Sequence, residues 1–193
     1  MALATSPPSA AVLSYDDYLA EGYVEGDYDI VDGVRIFMSG ASWRHQRIQK
    51  NVMKVLDRYE ETLRTGYMVG APYDVLIRKQ PLRMRQPDVL FISKQRLEET
   101  GGAPTTPLEA APEVVVEIIS DSERKATFAA KLKDYASIGV LECWKMLPDD
   151  RAVEVIRLDA QGSALVALFT ESEVLVSNVL PGFAALISEL FAE

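Results

Sequence analysis

The order of apolar and polar positions predicts helices inserted among strands early in the chain and a strand meander late. Residues 13–20 read as a short packing helix with Ser14 as its N-cap, stopped by Gly22 and Gly26. Residues 28–31 and 34–38 flank Asp32-Gly33, and both central residues of a type I′ turn need positive φ, so an antiparallel hairpin is expected. The longest predicted helix runs from residue 42 to about 64. On it His45, Ile48, Val52, Val55, Leu56, Tyr59 and Leu63 share an apolar arc, and Arg44, Arg47, Lys54 and Arg58 gather in a narrower basic arc beside it. That basic arc suits either a solvated face or a phosphate-facing stripe. Residues 67–78 alternate as one strand interrupted at Gly70 and Pro72, and residues 79–85 form a charged connection. A helical turn over 93–97 leads into one long loop over 98–112.

Ser120 and Glu123 have the spacing of a capping box, so a helix is predicted to follow, running through Ile138 and closed by Gly139. Residues 141–147, 152–158, 163–169 and 173–176 then read as successive strands with turns short enough for antiparallel pairing, and 183–191 as a last helix. The expected fold is a mixed α/β (α+β) one, with a mixed central sheet flanked by helices and a C-terminal antiparallel meander.

Two of the predicted strands bury charge. Residues 86–91 (QPDVLF) and 113–120 (EVVVEIIS) read as neighbours in one sheet, each with a carboxylate inside an apolar run. Period-2 alternation puts Asp88 on the face of Leu90 and Ile92, and Glu117 on that of Val115 and Ile119. A lone ionised carboxylate in a dry interior protonates, finds a cation or binds a metal, so two on nearby strands suggest a divalent metal site. Lys131 falls inside the core arc of the following helix, with Phe128, Leu132, Tyr135 and Ile138. An inward lysine snorkels out or pairs with a buried acid, and Glu117 is the natural partner. His45, near the start of the long helix, points inward; a lone histidine there is more often a satisfied core residue than a ligand. Asp29, beside Ile30, reads as an exposed edge acid.

Composition narrows the function classes. The 193 residues, 48% hydrophobic and 25% charged, fit one globular domain over residues 13–193 behind a frayed, proline-bearing tail over residues 1–12. The tail has neither the basic region nor the apolar core of a signal peptide, and no apolar run nears the roughly 18 residues that span a bilayer. With Cys143 the single cysteine, a cytoplasmic location is expected. A net charge of -9 argues against nonspecific coating of nucleic acid while leaving room for a local basic groove. The chain lacks a G-x-S-x-G elbow, a phosphate-binding P-loop, an H-E-x-x-H pair and a cysteine cluster. An oxygen-rich Asp/Glu site instead suits Mg²⁺ or Mn²⁺ and phosphodiester hydrolysis.

Pro87-Asp88, then Glu117 at a strand end, then a lysine, resembles the PD-(D/E)XK nuclease superfamily. YDIVDG from Tyr28, MSGASWRHQRI around His45, QPDVLF, EVVVEIIS, the Lys131 and Tyr135 spacing, and GVLECW from Gly139 together resemble the Uma-two family of restriction endonucleases. The likeness covers nearly the whole chain. It implies a restriction-endonuclease-like core acting on DNA, with Asp88, Glu117 and the Ile118 carbonyl as Mg²⁺ or Mn²⁺ ligands. Lys131 would be a helix-borne replacement for the usual strand lysine, whose position is Ile119 here. His45 and Asp29, the latter where the family shows a glutamate, complete the implied catalytic set. The chain also departs from the family at Asp121, where the family has a proline, and at Thr127, where it has an aspartate. Cutting both strands would suit a homodimer, because a two-fold places two sites on two strands. A second reading stays open, in which the same acids and Lys131 form a structural ion network and the surface binds a protein or nucleic-acid partner.

Overall fold

The structure is a computed structural model that describes residues 12–102, 106–119 and 125–193. The expected tail over residues 1–11 and the Ser120/Glu123 capping box lie outside the described residues. In chain order the elements are α1 (Tyr15–Glu21), β1 (Tyr28–Val31), β2 (Val34–Phe37), α2 (Trp43–Leu63), β3 (Gly66–Gly70), β4 (Val75–Arg78), β5 (Arg83–Arg85) and β6 (Val89–Ser93). They continue with α3 (Lys94–Glu99), β7 (Val114–Ile118), α4 (Lys125–Ile138), β8 (Glu142–Leu147), β9 (Ala152–Asp159), β10 (Gly162–Phe169), β11 (Val174–Val176), β12 (Ala184–Leu186) and α5 (Ile187–Leu190).

A six-stranded sheet in the order β10-β9-β8-β7-β6-β3 forms the centre. Every neighbouring pair in it is antiparallel except β7 and β8, which α4 joins as a crossover. The apolar run of β7 is buried along its whole length because both sheet faces are covered. On one face Ile48, Val52, Val55, Leu56 and Tyr59 of α2 pack on Val89, Phe91, Val114 and Val116. On the other, Phe128, Leu132 and Tyr135 of α4 pack on Leu90, Ile92 and Val115. The apolar arc of α2 ends sooner than expected, since Leu63 is exposed in the last turn.

A four-stranded sheet in the order β2-β1-β5-β4 packs beside the first. Its hairpin turn has Asp32 at φ 52 and Gly33 at φ 79, the two positive values that a type I′ turn requires. Here the expectations for 67–78 and 79–85 are overturned. The interrupted strand is two strands in different sheets, β3 on β6 and β4 on β5, because Pro72 offers no N–H to continue a ladder. The charged connection contains β5, whose Arg83 and Arg85 flank a fully buried Met84. At the C-terminus residues 173–176 do not extend the meander, and residues 183–191 are not one helix. Instead β11 and β12 pair as a separate two-stranded sheet, followed by the short α5. No helix of the described residues is long and apolar enough to cross a membrane.

The β3–β6 edge tests the packing. A Cβ on Gly66 would lie 2.4 Å from the Ile92 carbonyl oxygen and 2.7 Å from the Phe91 ring. Gly66→Ala must therefore shift backbone, and an overpacked site typically costs about 1–3 kcal/mol, so a clear drop in denaturation midpoint is expected. An unchanged midpoint would mean that β3 can slide on β6.

Candidate active site

Across the β6–β7 ladder Val89 faces Val116, so one further step in register sets Asp88 opposite Glu117 on the α4 side of the sheet. Asp88 sits just ahead of β6 and is held at three points. Its Oδ2 accepts from the Ile118 N–H at 2.6 Å. Its backbone carbonyl accepts from the Ala71 N–H at 3.0 Å and from the Gln49 side-chain amide at 2.9 Å. Its Oδ1 lies 3.1 Å from His45 Nε2. His45 and Gln49 are one helical turn apart on α2, whose N-cap Ser42 accepts from the His45 N–H at 3.2 Å, so a single capped turn grips both ends of Asp88.

Glu117 is 2% exposed. Lys131 on α4 places Nζ 2.6 Å from its Oε2, and the Tyr135 hydroxyl, one turn further along α4, donates to its Oε1. Burial, the largest influence, pushes the Glu117 carboxyl up to about 7, and the neighbouring Asp88 charge adds to it. Lys131 and the Tyr135 bond pull the other way. For His45, burial is again the largest influence and would lower its pKa. The Asp88 hydrogen bond and the Asp88, Glu117 and Asp27 charges outweigh it, so the imidazole ends above its ordinary value and favours the imidazolium.

Asp88, Glu117, Ile118, Lys131 and His45 line one cleft of about 510 Å³, together with Arg44 and Asp27. Asp29 does not join them. It is 2% exposed rather than an exposed edge acid, and its Oδ2 pairs with Arg85 Nη1 at 2.6 Å. Of the basic arc on α2, Arg44 is bound to Asp149 at 2.7 Å and to the Pro148 carbonyl, and Arg58 to Glu189 at 2.7 Å.

Among the described residues no group of three or more His, Cys, Asp or Glu side chains is clustered to hold a metal. The two carboxylates nevertheless fit a hard divalent ion. Each receives two donors, while an ionised carboxylate offers about four acceptor positions, so both keep capacity for a cation. What Ile118 displays in the structure is its N–H, spent on Asp88.

Sequence reasoning missed Gln49, Asp27 and the arginines of β5. Gln49 is buried on the apolar side of α2, a polar residue at a core position, which was the signal available. Asp27 lies in the irregular stretch before β1, where no periodicity marks it.

Over residues 16–188 the chain matches the model of the Uma2 family, described as "Putative restriction endonuclease". Its fold is similar to the crystal structure of a "putative nuclease belonging to DUF820" from Anabaena variabilis ATCC 29413. That likeness has a TM-score of 0.75 at 18% identity and covers 93% of this chain and 98% of the other. No curated protein matches the chain.

Proposed function

This chain belongs to the Uma2 family, and from that premise we propose that it is a Mg²⁺- or Mn²⁺-dependent endonuclease hydrolysing DNA phosphodiester bonds. The observation that supports this best is the meeting of Asp88 and Glu117 from adjacent strands in one cleft, with the Lys131 ammonium against Glu117. Asp88 and Glu117 would hold the metal, with the Ile118 carbonyl as a third oxygen. When bound, the ion supplies Lewis-acid polarisation of a phosphate oxygen and a more acidic water. Lys131 positions the attacking water and offsets negative charge developing at the phosphorus. Tyr135 holds Glu117 in one rotamer, and His45 keeps a proton at the cleft wall beside Asp88. Arg44 can meet a phosphate by exchanging its Asp149 partner. A homodimer would place two such clefts on the two strands of a duplex.

A second reading has an observation of its own. All four carboxylate oxygens already hold a donor, as they would in a purely structural ion network. Calorimetric titration with Mn²⁺ separates the two, because a structural network binds none. The nuclease reading also fixes the pH profile. A metal takes the unprotonated carboxylate, and Glu117 titrates near 7, so below that pH each bound ion must expel a proton. Affinity should be flat above about pH 7 and fall roughly tenfold per unit below it. His45 acts in the same direction, since its positive charge must be lost or tolerated beside the ion. Absence of binding at pH 8 would favour the structural network.

A further inference from the structure

A second cleft, of about 410 Å³, adjoins the first, and Tyr28 and Gln86 line both. Its size is within the usual range of small-molecule sites, roughly 300–1,000 Å³. Tyr18, Tyr23, Tyr28 and Tyr73 supply aromatic walls, and Asp74 and Gln86 are the polar groups among them. We propose that this cleft is a base-binding subsite, taking one unpaired nucleobase with an exocyclic amine from the DNA strand engaged at Asp88 and Glu117. The proposal rests on the nuclease reading and names the part of the substrate that reading leaves open.

Asp74 carries the argument. It is 6% exposed, and among the described residues no lysine or arginine forms an ion pair with it. Neutral donors hold it instead. Its Oδ2 accepts from the Tyr18 hydroxyl at 2.6 Å and the Tyr28 hydroxyl at 3.1 Å, and its Oδ1 accepts from Gln86 Nε2 at 2.9 Å. Gln86 is fixed in turn, because its Oε1 accepts from the Tyr28 N–H at 2.9 Å. This inventory leaves one acceptor position on Asp74 Oδ1 and one N–H on Gln86 Nε2, side by side. An adjacent acceptor and donor match the edge of a nucleobase. A carboxylate selects among the bases, since cytosine, adenine and guanine offer it an amino group whereas the one N–H of thymine lies between two carbonyl oxygens that repel it.

Stacking also answers an energetic need. A chain of net charge -9, with Arg44 and Arg58 already paired to acids, gains little from phosphate contacts alone. Aromatic walls attract an unpaired base independently of salt, and duplex DNA would have to release a base to use them.

The experiment is a fluorescence-anisotropy titration of short single-stranded oligonucleotides of deoxycytidine, deoxyadenosine or thymidine, in EDTA so that nothing is cut. The cytidine and adenosine strands are expected to bind several-fold more tightly than the thymidine strand. Tyr23→Ala should weaken the cytidine strand roughly tenfold, one stacked base being lost. Its melting temperature should not move, because Tyr23 is 83% exposed. Asp74→Asn should level the three strands, and should it fail to fold, the Tyr23 variant still decides. Equal binding of the three strands, no binding, or indifference to Tyr23→Ala overturns the proposal. Cleavage without base preference leaves the nuclease reading standing and removes this one; base-selective binding without cleavage does the reverse.

Discussion

Asp88→Ala is expected to abolish Mn²⁺-stimulated cleavage of plasmid DNA, by on the order of a thousandfold or more, because a metal-held transition state is worth several kcal/mol. Alanine also leaves the Ile118 N–H and the His45 ring without their partner, so a loss of activity could reflect a damaged sheet rim. Asp88→Asn separates the two. Its amide oxygen can still accept from Ile118, so the fold should hold while the charge that a cation needs is gone. His45 supplies an internal check, being the one histidine of the chain and therefore a single resolved proton-NMR titration. Burial lowers its pKa and the Asp88 bond and charge raise it above the ordinary value. In Asp88→Asn the charge disappears and burial remains, so the titration midpoint should move down. Cleavage that survives Asp88→Ala would sink the assignment of the cleft as an active site. A variant that loses cleavage with an unmoved His45 titration would mean that the two side chains do not meet in solution.

The acids and the lysine could be located from the sequence because each violates its surroundings. A carboxylate in an apolar strand and a lysine inside a helical core arc are costly unless they compensate one another, and Glu117 and Lys131 do so at 2.6 Å. Asp88 was readable on the same ground, its face being fixed by alternation with Leu90. The long helix α2 and the Asp32-Gly33 hairpin were equally legible, since a 3.6-residue period and a positive-φ dipeptide are local signals.

What could not be read depends on partners far along the chain. The segment R-M-R shows no hydrophobic pattern, and it is a strand because distant carboxylates accept its two guanidinium groups. Asp29 looked like a surface acid for the matching reason, its partner Arg85 being 56 positions away. Gln49 reads as a flaw in an apolar helix face until the Asp88 carbonyl is set beside it. Near the C-terminus, Phe183, Ile187 and Leu190 repeat at a helical spacing, yet residues 184–186 find a strand partner in β11, and three residues are too few for a period of two to show.

Arg85→Met is expected to destabilise the fold by about 3–5 kcal/mol, the usual cost of removing one partner from a buried charge cluster. Arg85 is 3% exposed and reaches two acids, Asp29 at 2.6 Å and Asp134 at 2.6 Å, while Arg83 holds the other oxygen of Asp134 at 2.9 Å. Burial by itself would weaken the Arg85 charge, and Asp29 and Asp134 together outweigh it, so the guanidinium is held protonated. Methionine keeps much of the apolar stem and strands both carboxylates, so the penalty comes from their desolvation rather than from a cavity. The consequence extends to the cleft, because Asp134 lies on α4 between Lys131 and Tyr135, the two residues that hold Glu117. The β5 arginines thus brace the helix that presents Lys131, linking the four-stranded sheet to the central one. Urea denaturation measures the loss, and Arg85→Met combined with Asp29→Asn and Asp134→Asn should recover part of it, since the stranded charges are then gone. A cost below about 1 kcal/mol, the range of exposed ion pairs, would show that water reaches the cluster and that α4 is held by its apolar face alone.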